Sequence, residues 1–390
     1  MYIQRVVLLS LLLMLFGGCT PALDTLWSGP SEDTANPLRT DFANFYSSRI
    51  GSKPFEHEVA IRGLHPIRFT SSSEQLGGVV SVDEEGHIAL NSPDGTKSVS
   101  LGSINRAVTF MAISANQRFL AVSHDLYLAI WDLETLTELI EFSDLKTRVS
   151  AITFDPASNA LLVAGLDGRI YRWKWLELLQ GSIKERSLAY ERYLGHSSVV
   201  SAIAYHPQGR VFFSGDWYGN LSAWRAYDGD LFAGQYASNI FGGIFYTDSS
   251  VRRNVTRVDK NRIESLVVSP KGTFMALGTN QDQVELWGLR GFTLLKSTAA
   301  HQGLVRLLAF SSDEKYLASY GRDKVLRVWA IESSFVPLLD ETQYELVLHG
   351  QKELPDVRAL KFINSSRIML GLGSGEVIAL DPQSILVDLE

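Results

Sequence analysis

Residues 300–329 read A-H-Q-G-L-V-R-L-L-A-F-S-S-D-E-K-Y-L-A-S-Y-G-R-D-K-V-L-R-V-W, and their pattern decides the fold. An apolar run opens at Val305 and closes at Phe310. S-S-D-E-K is a polar turn. Y-L-A-S-Y is a second apolar run with small residues near its end, and G-R-D-K is a second turn. V-L-R-V-W then alternates apolar and polar side chains up to Trp329. Strand, turn, strand, turn, strand at this spacing fits the two-residue period of β-structure and no helical pattern.

The same phrase recurs outward along the chain. Trp173, Trp224, Trp287 and Trp329 each lie 24 residues after an apolar residue that opens a strand: Val149, Val200, Ile263 and Val305. Seventeen residues before three of these tryptophans stands a proline (Pro156, Pro207, Pro270), and Ser312 takes that place before Trp329. Trp131 joins the set with one turn a residue shorter. V-S-A-I-T-F-D-P, V-S-A-I-A-Y-H-P and I-E-S-L-V-V-S-P are inner strands running into a turn. A period of roughly 40 to 60 residues with four short strands each predicts propeller blades.

These segments resemble WD repeats. Gly195-His196 matches the family's Gly-His before the inner strand, Ala300-His301 is a variant of it, and Trp131-Asp132 is a W-D pair. The family's structural tetrad of His, Ser/Thr, Asp and Trp is filled by His301, Ser319, Asp323 and Trp329. Elsewhere it reads as partial: Asp167 with Trp173, and His196 with Ser214 and Trp224, where Tyr218 replaces the aspartate. Two degenerate repeats, opening at Ile67 and at Val357, complete the count. The strand E-V-A-I-R at 58–62 has no blade of its own and is expected to supply the outer strand of the last one. The resemblance covers about residues 58–383 and implies an all-β fold. The expected form is a seven-bladed β-propeller of four-stranded WD-type blades, closed by an N-terminal strand, with eight blades the main rival.

The N-terminus carries a different signal. Residues 1–5 hold one positive charge, residues 6–16 are apolar, and Phe16-Gly17-Gly18-Cys19 follows. Eleven apolar residues are too few for a permanent membrane-spanning helix. Small residues before a cysteine at this point resemble the lipobox of bacterial lipoproteins, whose cysteine is acylated after the leader is cut away. The family usually has Leu three residues before the cysteine, where this chain has Phe16. Two or three acyl chains anchor a protein stably where one does not. The resemblance implies a signal peptide at 1–18, a lipidated Cys19 with a tether over 19–57, and the propeller over 58–390. Thr20 rather than Asp after the cysteine implies sorting to the outer membrane, with the domain facing the periplasm.

Composition sets further bounds. The chain of 390 residues is 45% hydrophobic with a formal charge of −7, and Cys19 is its single cysteine. A disulfide framework within the chain is excluded. No run of five like charges and no basic stripe point to nucleic acid. G-x-S-x-G, Walker and H-E-x-x-H motifs are absent, so no catalytic residue, cofactor or metal is assigned. His196 and His301 fall where the repeat uses histidine within a blade, and His206 precedes Pro207 in a turn.

Breaks in the repeat point to a binding surface. Trp217 and Tyr218 occupy a tight turn of the fourth blade, where aromatics are costly to leave in water and favoured as partner anchors. Residues 236–260 are read as an insertion between the outer strand of that blade and the inner strand of the next, on the same end of the ring. Phe241, Ile244, Phe245 and Tyr246 either pack on the ring or meet a partner there, with Arg252, Arg253 and Arg257 as polar rim. Residues 176–186 are read as a short helix. The expected role is a non-enzymatic scaffold for other envelope proteins, anchored through its lipid. The rivals are a propeller enzyme or small-molecule sensor using the central channel, and an assembly factor for outer-membrane proteins.

Overall fold

The computed structural model describes residues 60–62, 67–73, 78–92, 98–104, 106–135, 137–142, 145–176, 190–194, 196–226, 252–255, 261–336, 341–365 and 367–385. Cys19, the leader and the tether lie outside them, as do Phe241, Ile244, Phe245, Tyr246, Arg257 and all but the first residue of 176–186.

The described chain forms seven four-stranded antiparallel sheets. Each is a meander, with inner strands opening at Ile67, Phe110, Val149, Val200, Ile263, Val305 and Val357. Neighbouring inner strands touch all the way round, and the strand from Val357 meets the one from Ile67, so the ring is closed. The last sheet takes its outer strand from the start of the chain: Ala60, Ile61 and Arg62 pair with Ile378, Val377 and Glu376. Closure of this kind leaves no open sheet edge between first and last blades.

One local device repeats at the first turn of each central blade. The residue after the inner strand uses its carbonyl to accept from a residue three further on. The pairs are Ser114 with Gln117, Asp155 with Ser158, His206 with Gly209, Ser269 with Gly272 and Ser311 with Glu314. All five second members have positive φ. Polar side chains at the first position close the loop: Ser114, Ser269 and Ser311 accept from the backbone N–H five residues on, each at 2.9 Å. Asp155 accepts from Asn159 and Ala160 at 2.7 and 2.8 Å. Polar residues followed by a residue that tolerates left-handed backbone are the expected chemistry for such turns.

The blades are joined by more than apolar contact. Ser150, Ser201 and Ser265, near the start of their inner strands, donate to the carbonyls of Val200, Ile263 and Val305 in the next blade, at 2.6, 2.5 and 2.9 Å. Around the first turns, Asn116 N–H donates to Ser158 Oγ at 3.0 Å and Lys271 N–H to Glu314 Oε1 at 2.7 Å. A Cβ on Gly272, whose φ is +77°, would lie 2.4 Å from Nε2 of His206, so glycine is required on both steric and conformational grounds. Burial beside this turn lowers the His206 pKa, with a backbone hydrogen bond at Gly272 opposing. The core is correspondingly shared between blades. Trp173 and Trp175 of the third blade pack with Phe142, Leu128 and Ile130 of the second.

Strand direction fixes two ends of the ring. Turns between second and third strands share one end, here called upper, with the connections from each outer strand to the next inner strand. First turns and the connections from third to outer strands share the lower end. Arg252–Val255 is itself the outer strand of the fourth blade and pairs with Leu221–Trp224. This corrects the sequence-based placement of the insertion. The long break in the repeat is 227–251, between the third strand, Leu221–Arg225, and the outer strand, Arg252–Val255, and it lies outside the described residues. Arg252 and Arg253 are strand residues, not the rim of a loop beside Trp217. The reading failed because R-R-N-V is a short, polar outer strand with no apolar alternation to mark it.

Candidate partner-binding surface

The upper end is built from one turn repeated around the ring. In each of five blades, the residue two before the tip of that turn donates its N–H to a carbonyl at the foot of its own inner strand. The pairs are Leu166 with Arg148, Trp217 with Val199, Asn280 with Arg262, Arg322 with Leu304, and Gly373 with Asp356. The backbone alone makes this bond. Leu, Trp, Asn, Arg and Gly all satisfy it, so the bond itself makes no demand on the side chain.

The fourth-blade turn is organised by a buried carboxylate. Asp216 accepts from Tyr218 N–H at 2.9 Å and from Asn220 N–H and Nδ2 at 2.8 and 2.9 Å. Its Oδ2 also lies 2.8 Å from His196 Nδ1. Burial opposes ionisation of Asp216, but the hydrogen bonds from His196 and Asn220 outweigh it and hold the carboxyl below its usual range. With Asp216 ionised, the proton of His196 sits on Nδ1. His196 Nε2 then accepts from Ser214 Oγ at 2.6 Å, and Ser214 accepts from Trp224 Nε1 at 2.6 Å. The tetrad of this blade is therefore complete. Asp216, not the position of Tyr218, supplies its carboxylate. Tyr218 is released to solvent.

The sixth blade carries the parallel arrangement. His301 Nδ1 lies 3.0 Å from Asp323, His301 Nε2 lies 2.8 Å from Ser319 Oγ, and Trp329 Nε1 donates to Ser319 at 2.9 Å. Arg327 Nη1 stands 2.8 Å from both His301 Nδ1 and Asp323 Oδ2. Burial lowers the His301 pKa against the pull of Asp323. Burial also opposes charge on Asp323, but Arg327 and His301 hold its carboxyl below the usual range. A serine, histidine and aspartate in this order have the connectivity of a nucleophilic triad. Both serines, however, are wholly buried and already accept from an indole, so neither hydroxyl meets a substrate.

Other blades depart from the scheme. Asp167 accepts from Tyr171 Oη at 2.9 Å rather than from a histidine. In the fifth blade Trp287 donates to buried Glu285 at 2.9 Å. In the first, Asn91 stands at the tryptophan position and donates to Ser81 at 2.7 Å. Asp132 of the W-D pair accepts from Arg118 Nε and Nη2 at 2.9 and 2.7 Å.

On the upper end of blades two to four, large apolar side chains face solvent. Leu126 is 46% exposed, Leu166 44%, Trp217 41% and Tyr218 62%. Leu194, in the connection entering the fourth blade, is 63% exposed. Arg262 lies over the Trp217 ring, its Cζ 3.9 Å from the centroid, and pairs with Glu264. Burial raises the Glu264 pKa against Arg262. Sequence reading found Trp217 and Tyr218 but missed the leucines. A single leucine in a turn carries no signal until the ring sets it beside its equivalents. Among the described residues no group of three or more His, Cys, Asp or Glu is placed to hold a metal, and no helix is long and apolar enough to cross a membrane.

Comparison with known proteins fits this construction. Residues 189–225 and 292–330 match the family model described as WD domain, G-beta repeat. Among the described residues, these are the two segments whose His, Ser, Asp and Trp are all joined. The chain is a seven-bladed β-propeller, and its fourth and sixth blades carry the WD-repeat pattern. Over 220 residues, 53% of this chain and 45% of the relative, the propeller is 26% identical to the nuclear distribution protein PAC1 of Arthroderma benhamiae. Over 208 residues, 52% of this chain and 19% of the relative, it is 24% identical to the periodic tryptophan protein 2 homolog of Dictyostelium discoideum. A 56-residue stretch, 14% of this chain and 12% of the relative, is 43% identical to PAC1 of Tuber melanosporum. The matches span less than half the length of these relatives. WD-repeat proteins in general act as protein-interaction scaffolds.

Proposed function

We propose that this chain is a lipid-anchored scaffold of the bacterial envelope, tethered by an acylated Cys19 and holding a protein partner on the upper end of its ring. The anchoring half is supported by the leader and the cysteine at its small-residue boundary. The outer membrane, periplasmic side, is the location this predicts. The observation that carries the binding half is the exposure of Leu126, Leu166, Leu194, Trp217 and Tyr218, all on the upper end of neighbouring blades. Exposed apolar clusters rimmed by polar groups mark interaction sites, and loops on a rigid frame vary in sequence without cost to folding. The buried serines argue against hydrolysis as the activity. The mechanism is positioning: the ring keeps the docking face rigid while the anchor confines it near the membrane.

Fractionation and pull-down from detergent-solubilised membranes test both halves. Cys19→Ser should move the protein from the membrane pellet to the soluble fraction. Trp217→Ala with Tyr218→Ala should leave the melting temperature within a few degrees and reduce partner recovery by roughly thirtyfold in affinity, the usual loss for a hot-spot aromatic. A serine variant that stays in the pellet after its leader is cut contradicts the anchor. Undiminished partner recovery contradicts the surface.

A further inference from the structure

We infer that the segment held on the upper end is an extended acidic peptide with an apolar anchor residue, a conclusion that rests on the docking face proposed above. The apolar half of the face ends at Trp217, where Arg262 covers one side of the ring. Beyond Arg262 the surface changes character. Glu264 pairs with Arg262 and lies in the field of Arg306, the second residue of the sixth blade's inner strand. Arg322 and Lys324 stand in the second turn of that blade, and Arg322 packs over Gly303. Arg306, Arg322 and Lys324 are all exposed. None of the three forms an ion pair with a described carboxylate, whereas Arg148, Arg169, Arg262, Arg327 and Arg358 of the same end all do.

Position and charge together give this patch a ligand specificity. The turn does not require these residues: Arg322 occupies the place that holds Leu166, Trp217, Asn280 and Gly373 in other blades, and its structural bond is made by backbone alone. The chain as a whole is also acidic, at −7, so exposed cations that form no ion pair with a described carboxylate run against its average. An acidic ligand would be repelled by most of this protein and attracted here, where exposed charges act over about 10 Å at moderate salt. An apolar anchor on Leu166, Leu194, Trp217 and Tyr218, followed by carboxylates running toward Arg306 and Arg322, satisfies both halves in one extended segment. Burial of the anchor supplies affinity, and the charges supply orientation and on-rate.

The test uses the full chain and synthetic peptides bearing one Leu or Phe anchor flanked by Glu, by Lys or by Ser. The Glu series should bind, weaken as salt rises, and lose roughly tenfold or more in affinity with Arg322→Glu plus Lys324→Glu. Trp217→Ala with Tyr218→Ala should abolish the same binding. Equal binding of the Lys or Ser series overturns the acidic specificity while leaving the docking face intact. Glu-series binding that ignores the charge reversal overturns it too. Capture of anionic phospholipid vesicles in place of every peptide series would make the patch a lipid site and also overturn the inference. Failure of all three series, with envelope-partner recovery still sensitive to Trp217 and Tyr218, rejects the linear peptide but not the face.

Discussion

Trp329→Ala should destabilise the protein by about 3 to 5 kcal/mol, the range for truncating a buried aromatic. The indole is almost fully buried and lies in a cluster with Phe274, Leu308, Phe310, Leu317 and Leu346. That cluster spans the fifth and sixth blades, so the cavity would open at a blade junction. The same substitution removes the donor to Ser319, whose hydroxyl links His301 to the indole. Trp329→Phe separates the two contributions. It keeps a buried aromatic ring but loses the N–H and the volume of the five-membered ring, so it should cost about 1 to 2 kcal/mol, less than the alanine. Urea unfolding of the three proteins measures this. A midpoint for Trp329→Ala equal to wild type would contradict the placement.

Asp216→Ala should cost about 3 kcal/mol, because a buried carboxylate with several donors is lost and His196 is left without its partner. Tyr218→Ala, two residues away and well exposed, should stay within about 0.5 kcal/mol. The pH dependence follows from the lowered carboxyl pKa of Asp216. Its contribution is full above the unfolded carboxylate value near 3.9 and disappears as pH falls through the lower folded value. Wild type and Asp216→Ala should therefore differ most at neutral pH, and the gap should narrow in strong acid as the charge-dependent part is lost. If Tyr218→Ala proved the more damaging change, the tetrad of the fourth blade would have been assigned to the wrong residue.

That pair of residues shows where sequence reading stops. The repeat register was legible because tryptophans, prolines and strand openings recur at fixed spacing, and the ring and its closure by Ala60–Arg62 followed from counting strands. The tetrad of the fourth blade was misread because spacing from Ser214 points to Tyr218. In the folded turn the carboxylate two residues earlier reaches the same histidine. Spacing records chain distance, and a turn can bring either residue to the ring nitrogen. The insertion was misplaced for a related reason: Arg252–Val255 pairs as a strand because Leu221–Trp224 offers a free edge, not because its own sequence alternates. The surface leucines were illegible for another reason. Leu126, Leu166 and Leu194 lie far apart along the chain and gain meaning only when the ring aligns their turns.

The central claim is that a partner sits on the upper end of blades two to four. Site-specific photo-crosslinking in cells measures this most directly, with a photoreactive residue placed in turn at Leu166, Leu194 and Tyr218 on that end, and at Lys271 and Asp313 on the lower end. The account predicts that the three upper positions capture one and the same protein, and that the two lower positions do not. Capture of that protein from Lys271 or Asp313, with Leu166, Leu194 and Tyr218 silent, would contradict it.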